Sequence, residues 1–341
     1  MSNYNNLSNY TRESYETRTF NLVARWRREN GPFFDHEMGG PRLFVEWLIK
    51  LRSSLVANSW RQYKAASVFI LYEQHDWLWP LSSDYDVRYA VNTLAQEGQQ
   101  FCLKQSDKTS STKSKKVSLS DIKKLANYFR EHPSKMAGPI ISFLSFNRFV
   151  GLRPCECESC HIVWDPKDQT LKLTAKNAKH NAARANGLTR TMTFYAPTAS
   201  LVNSALYFFH FVENSLKLSP LKTQQEQWDA TIGLMGDALA YANRRIWPRR
   251  QSHFTLYCAR HDASAFFKTY LLPEETAALL GHSTDETAYR HYARANPKSG
   301  ALGVARIENL PSPDPTEVAR VRLKLDRRNL KYEASQSNLE L

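Results

Sequence analysis

Between Lys104 and Lys116 the chain runs KQSDKTSSTKSKK, with five lysines, one aspartate and no hydrophobic residue. Such a stretch has nothing to bury and repels itself, so it stays solvated. Whatever folds before it must therefore fold separately from whatever follows. At 341 residues the chain is long enough for each part to bury its own core.

Composition then narrows the partner. Lysine and arginine number 46 against 33 acids, a formal charge of +13, with 42% hydrophobic and 12% aromatic residues. That balance excludes a disordered polymer and favours a polyanion, nucleic acid before an anionic membrane. No apolar run approaches the roughly 20 residues needed to cross a bilayer, and the polar start MSNYNNLSNYTRES is not a secretory signal. Five cysteines, an odd number, fit a reducing compartment without a disulfide framework. A cytoplasmic protein is expected, nucleoid-associated if prokaryotic.

Residues 1–41 fit either an arm or a lead-in helix. In 42–103, LFVEWLIKL and SWRQYKAASVFILYE space apolar residues by three and four, which predicts helices. Arg61 and Lys64 in the second run suit contact with a sugar-phosphate backbone, whereas Trp60, Tyr63 and Phe69 suit either that surface or a core. Lys113, Lys115 and Lys116 at the end of the linker suit a clamp on the same polyanion.

After the linker, Ser118 with Asp121 offers a capping box for a helix with the stripe Ile122, Leu125 and Phe129. Gly151 can stop a helix, and Pro154 can open the next, with Glu156 and Glu158 in its first turn. Arg153 then lies just before a helix N-terminus, a place that suits an anion. Cys155, Cys157, Cys160 and His161 crowd into this predicted helix. At about 100° per residue they share no centre, so buried or half-buried thiols are expected, and no metal. Residues 169–195 alternate at both ends around a basic loop with Asn186-Gly187, which predicts a β-hairpin able to reach over a duplex. From 196 to 248 the pattern is helical, ending in the basic cluster Arg244, Arg245, Arg249 and Arg250, which suits a backbone contact or a solvated face. Beyond PSPDP, Val318 to Leu325 alternates at period two and predicts a strand needing an edge to pair with.

The densest stretch is His253 to Arg294. Arg260 follows Tyr257 at the head of the apolar run Ala263, Phe266, Phe267 and Tyr270. LPEETAALLGH predicts a short helix opened by Pro273 and closed by Gly281, leaving His282 on a turn. A second helix from Asp285 would put Tyr289 and Tyr292 on one face.

The order Y-x-x-R-H, L-G-H-S and T-A-x-x-H-Y, with VGLRPCE upstream, resembles the C-terminal half of the tyrosine recombinase (phage integrase) family over roughly residues 117 to 300. The family more often has histidine where this chain has Tyr257. The resemblance implies a tyrosine that attacks a DNA phosphate to form a 3′-phosphotyrosyl link. Arg153, Arg260 and His282 would stabilise the developing charge, Lys176 would protonate the leaving 5′-oxygen, and Tyr257 would donate a hydrogen bond. Lys179 competes with Lys176 for the lysine role, and also suits a DNA contact. Tyr292 is favoured as nucleophile over Tyr289 by its distance from His282.

The expected fold is mainly α with a small β-hairpin or sheet: a helical core-binding domain (42–103) and a mixed α/β catalytic domain (118–310), joined by 104–117. The tail, 311–341, is expected to exchange between protomers. The implied partner is double-stranded DNA with specific recombination sites, bound by a homo-oligomer, a tetramer on two sites, with no cofactor and no membrane. A type IB topoisomerase, a telomere resolvase or a non-catalytic DNA-binding protein on this fold are the alternatives.

Overall fold

The computed structural model of the chain describes residues 7, 9–31, 40–73, 75–103, 114, 116–178, 186–217, 223–282 and 308–337. The chain divides into two compact units, Met1–Lys108 and Thr109–Leu341.

The first unit is helical: α1 (Asn9–Asn30), α2 (Gly40–Leu51), α3 (Ala57–Glu73), a short α4 (His75–Leu78) and α5 (Asp84–Gln96). Of the two readings of the chain start, the helix is the one found. α1 is part of this unit rather than an appended arm, because Leu22, Val23 and Trp26 bury in the same cluster as Phe44, Leu48 and Leu94. The α3 run from Ala66 to Leu71, apolar apart from Ser67, is buried on all sides, as a stretch of helix with almost no polar face must be. Trp60 is fully buried, so it belongs to the core.

The second unit surrounds one large core. Its first helix, α6 (Leu119–Glu131), has the expected Ser118–Asp121 capping box and buries Ile122, Leu125 and Phe129. α7 (Ala137–Val150) ends at Gly151, whose φ of +75° is the left-handed turn glycine tolerates. Close approach adds a second constraint there. A Cβ on Gly151 would lie 3.2 Å from both Ala263 Cβ and Leu280 Cδ2.

Pro154–Ser159 is a 3-10 turn, and His161 already starts a strand, so the predicted helix through the cysteines is cut short. Cys157 is buried, and Cys155 and Cys160 are half-buried. The sheet is antiparallel in the order β1 (His161–Asp165), β2 (Thr170–Lys176), β3 (Thr189–Tyr195) and β4 (Ser312–Pro313). The predicted hairpin is β2 with β3, in the register Ala175 opposite Arg190 and Lys176 opposite Thr189. Leu171, Leu173, Met192 and Phe194 line the buried row.

The remaining helices are α8 (Ala199–Leu216), α9 (Gln224–Ile246), α10 (Cys258–Tyr270), α11 (Pro273–Leu279) and α12 (Pro315–Ser337). α10 is the buried axis, nine of its thirteen residues being covered, and a buried ion pair between Arg148 and Asp262 (2.9 Å) ties it to α7. The strand expected at Val318 to Leu325 is instead part of α12. Val318 and Val321, three apart, bury against Ala277 and Ala278 of α11 in the same chain. The architecture is thus mainly α with one small sheet, as expected.

Candidate functional site: a cationic cluster around one carboxylate

Three separate segments bring their cations to Glu156. Arg153, at the N-terminal edge of the 3-10 turn, donates from Nη1 to Glu156 Oε1 at 2.5 Å, while its backbone N–H reaches Oε2 at 2.8 Å. Arg190 of β3 donates from Nη2 to Oε2 at 2.6 Å. Arg260 of α10 stands 3.7 Å from Oε2 and also donates to two backbone carbonyls, Gly151 (2.5 Å) and Leu280 (2.6 Å). Glu156, Arg190 and Arg260 are almost wholly buried. A buried charge persists only where it is paired, and three guanidiniums on one carboxylate leave the group net positive. Burial alone would raise the Glu156 carboxyl; Arg190, Arg260 and Arg153 hold it instead well below the usual carboxylate range.

His282 adds the fourth segment. α11 opens on Pro273 and ends as expected, with Gly281 at φ +65°. His282 N–H then bonds to Ala277 O (2.8 Å) and the ring is buried 3.3 Å from Arg260 Nη2. Burial first, then the positive fields of Arg260, Arg153 and Arg190, push the imidazole well below its ordinary value, so the ring is neutral at physiological pH. An arginine only donates, so Nε2 accepts and the proton lies on Nδ1, which makes Nδ1–H the ring's donor.

Lys176 ends β2 with an exposed side chain, near enough to Glu158 for its charge to offset part of the burial that raises that carboxyl. Tyr257 precedes α10, one turn before Arg260, with its ring edge-on to His261 at 5.5 Å. Arg244 and Arg245 are exposed in the last turn of α9, and Arg245 lies over the Tyr241 ring at 5.3 Å. Lys116 is exposed. Within the first unit, Arg61 is exposed and bonds to Asn58 (3.0 Å). Lys64 is committed to the fold, for its amine bonds to the carbonyls of Ala95 (2.8 Å) and Glu97 (2.6 Å) at the end of α5. Lys113, Lys115, Lys179, Tyr289 and Tyr292 lie outside the described residues.

Comparison with solved structures finds the chain similar to the Tn1549 transposon integrase in complex with transposon right end DNA, at 11% identity, over 89% of this chain and 95% of that one, with a TM-score of 0.46. It is also similar to that integrase in complex with a circular intermediate DNA, at 11% identity over 89% and 95% with a TM-score of 0.47. A further complex of it with circular intermediate DNA gives 12% over 88% and 94%, TM-score 0.43. No family model and no curated protein matches the chain.

Sequence reasoning missed two members of the cluster. In the sequence Glu156 reads only as a first-turn acid. Arg190 did leave a signal: it occupies the row of Met192 and Phe194 on the core face of β3, where a cation must have a buried partner. Among the described residues no group of three or more His, Cys, Asp or Glu is arranged to hold a metal ion. No described helix is long and apolar enough to cross a membrane.

Proposed function

We propose that the chain is a tyrosine-type DNA strand transferase, a site-specific recombinase that integrates, excises or resolves a mobile element. The observation that carries this reading is the convergence of Arg153, Arg260 and His282, from three distant segments, on one buried net-positive cluster. Such a group offers forked guanidinium donors and one imidazole N–H to a phosphate whose charge grows as it becomes pentacoordinate.

In this reading the Tyr292 oxygen attacks phosphorus, giving up its proton to water. The bond to the 5′-oxygen breaks, and Lys176 supplies the proton to that oxygen. The guanidiniums and His282 act on the two non-bridging oxygens, and Tyr257 adds a hydrogen bond. The phosphotyrosyl bond conserves the phosphodiester, so a 5′-hydroxyl from a second duplex can reverse the step. Exposed Arg244, Arg245 and Lys116 suit backbone phosphates, as do Lys113, Lys115, Lys179 and Arg61, and a homotetramer would hold two sites.

The test is covalent capture. The protein is incubated with a library of duplexes of random sequence and quenched in detergent, and protein–DNA adducts are isolated and sequenced. An adduct on Tyr292 with a free 5′-hydroxyl on the other strand end is the expected result. DNA retention with no adduct from any duplex would favour a non-catalytic DNA-binding protein, and relaxation of supercoiled plasmid without exchange of two sites would favour a topoisomerase.

A further inference from the structure

Lys176 has an exposed side chain at the end of a strand, yet the backbone just after it is held more firmly than a hairpin tip requires. Asn177 N–H bonds to Leu188 O (2.8 Å), continuing the β2–β3 ladder one step beyond Lys176. The next N–H, of Ala178, bonds to Glu156 Oε1 (3.1 Å), the carboxylate oxygen that Arg153 also holds. The Asn177 side chain is buried and used at both ends: Oδ1 accepts from Arg190 Nη1 at 2.5 Å, and Nδ2 donates to Gly187 O at 2.9 Å. Arg190 thus has one nitrogen on Asn177 and the other on Glu156.

The fourth side of this arrangement is Gly281. A Cβ there would lie 2.1 Å from Asn177 Oδ1 and 3.1 Å from Arg190 Nη1. The residue before His282 is therefore seated directly on the Asn177–Arg190 pair. One hydrogen-bonded unit touches the segment carrying Lys176, the carboxylate shared by Arg153 and Arg260, and the turn carrying His282.

We propose that Arg190 and Asn177 are positioning residues that set Lys176 in register with Arg153, Arg260 and His282; this rests on the strand-transferase reading above. Neither residue touches the DNA. Their work is to fix the strand end so that the lysine amine reaches the leaving 5′-oxygen when the tyrosine oxygen bonds to phosphorus. A misplacement of about 1 Å at such a group costs on the order of 100-fold in rate.

A merely structural brace and a positioning brace separate on the leaving group. Replacing the bridging 5′-oxygen by sulfur makes the departing group a thiolate, which leaves without receiving a proton. The experiment measures single-turnover cleavage of a captured duplex with either oxygen or sulfur at the scissile position, using the full chain and its Arg190→Met, Arg190→Lys, Asn177→Ala and Lys176→Ala variants. Expected is a loss of about 100-fold for Arg190→Met and Asn177→Ala on oxygen; sulfur returns Asn177→Ala to near the wild-type rate and recovers Arg190→Met only in part, since Arg190 also shares Glu156 with Arg153 and Arg260. Arg190→Lys, which restores one of the two contacts, falls between. Circular dichroism reports folding, and Asn177→Ala, which removes no charge, carries the test should Arg190→Met not fold.

If Lys176→Ala is rescued by sulfur while Arg190→Met and Asn177→Ala are equally slow on both substrates, the positioning role is overturned and the strand-transferase reading stands. Wild-type rates for Asn177→Ala on oxygen overturn the positioning role as well. If Lys176→Ala is not rescued, Lys176 is not the acid and the positioning role falls with it; if the wild-type chain forms no adduct, the strand-transferase reading falls too.

Discussion

Glu317, in the first turn of α12, should make the hold of that helix on the sheet depend on pH. Its Oε1 accepts from Thr191 N–H of β3 at 2.9 Å, its backbone carbonyl accepts from Asn186 Nδ2 at 2.7 Å, and the residue is 4% exposed. Burial pushes its carboxyl up to about 7; Asp314 pushes the same way, and the Thr191 N–H, Arg320 and Arg190 offset part of the rise. The docked helix therefore binds a proton more tightly than the free chain does. Its contribution is complete below the ordinary carboxyl value, declines as pH rises through the window up to about 7, and is constant above it. Such a shift is worth roughly 3 kcal/mol at full strength, and about half that, ~1.5 kcal/mol, after discounting for solvent screening. Gln in place of Glu317 keeps an acceptor for Thr191 and cannot ionise. Denaturant unfolding of the two proteins at pH 5 and pH 8, conditions on either side of neutrality, isolates this group: the wild-type chain should lose about 1–1.5 kcal/mol more than Glu317→Gln across that range. Equal losses in both proteins would refute the reasoning.

Arg153→Lys keeps the charge but loses the forked donor, and single-turnover cleavage should slow by about 10²- to 10³-fold with folding unchanged. Tyr292→Phe should abolish the covalent adduct while Tyr289→Phe retains it, read by denaturing gel; an adduct surviving the first change refutes the assignment. Gly281→Ala adds left-handed strain of about 1–2 kcal/mol to its collision with Asn177, so thermal unfolding should begin markedly earlier. Arg148→Met removes the buried ion-pair partner of Asp262 and should cost about 3–5 kcal/mol in denaturant unfolding.

Much of the fold was legible because its local signals act over three or four residues. Ser118 with Asp121, Gly151, Pro154 and Gly281 each do in the structure what their chemistry suggests. The hairpin was legible for the same reason, through Leu171, Leu173, Met192 and Phe194. The tail was not, because VARVRLKL satisfies both periods at once. What decided it was Asp314-Pro315, a cap followed by a first-turn proline: Thr316 N–H bonds to Asp314 Oδ1 at 2.8 Å, and α12 starts at Pro315. β1 escaped because Ile162, Val163 and Trp164 are three apolar residues in a row, which hides the alternation the strand has, with His161 and Val163 exposed and Ile162 and Trp164 half-buried. At the site, Arg153, Arg260 and His282 stood out by their place at element ends. Glu156 and Arg190 did not, since the need for a buried counter-charge becomes visible only when distant segments meet.

Three guanidiniums lean on Glu156, so the members of this group cannot be ranked by deleting them one at a time. Taking away one cation hands its portion of the negative charge to the other two, and taking away the acid sets all three repelling each other. Doubly altered proteins should therefore deviate widely from the sum of the single changes, and a residue that looks dispensable alone can prove indispensable once a neighbour has gone.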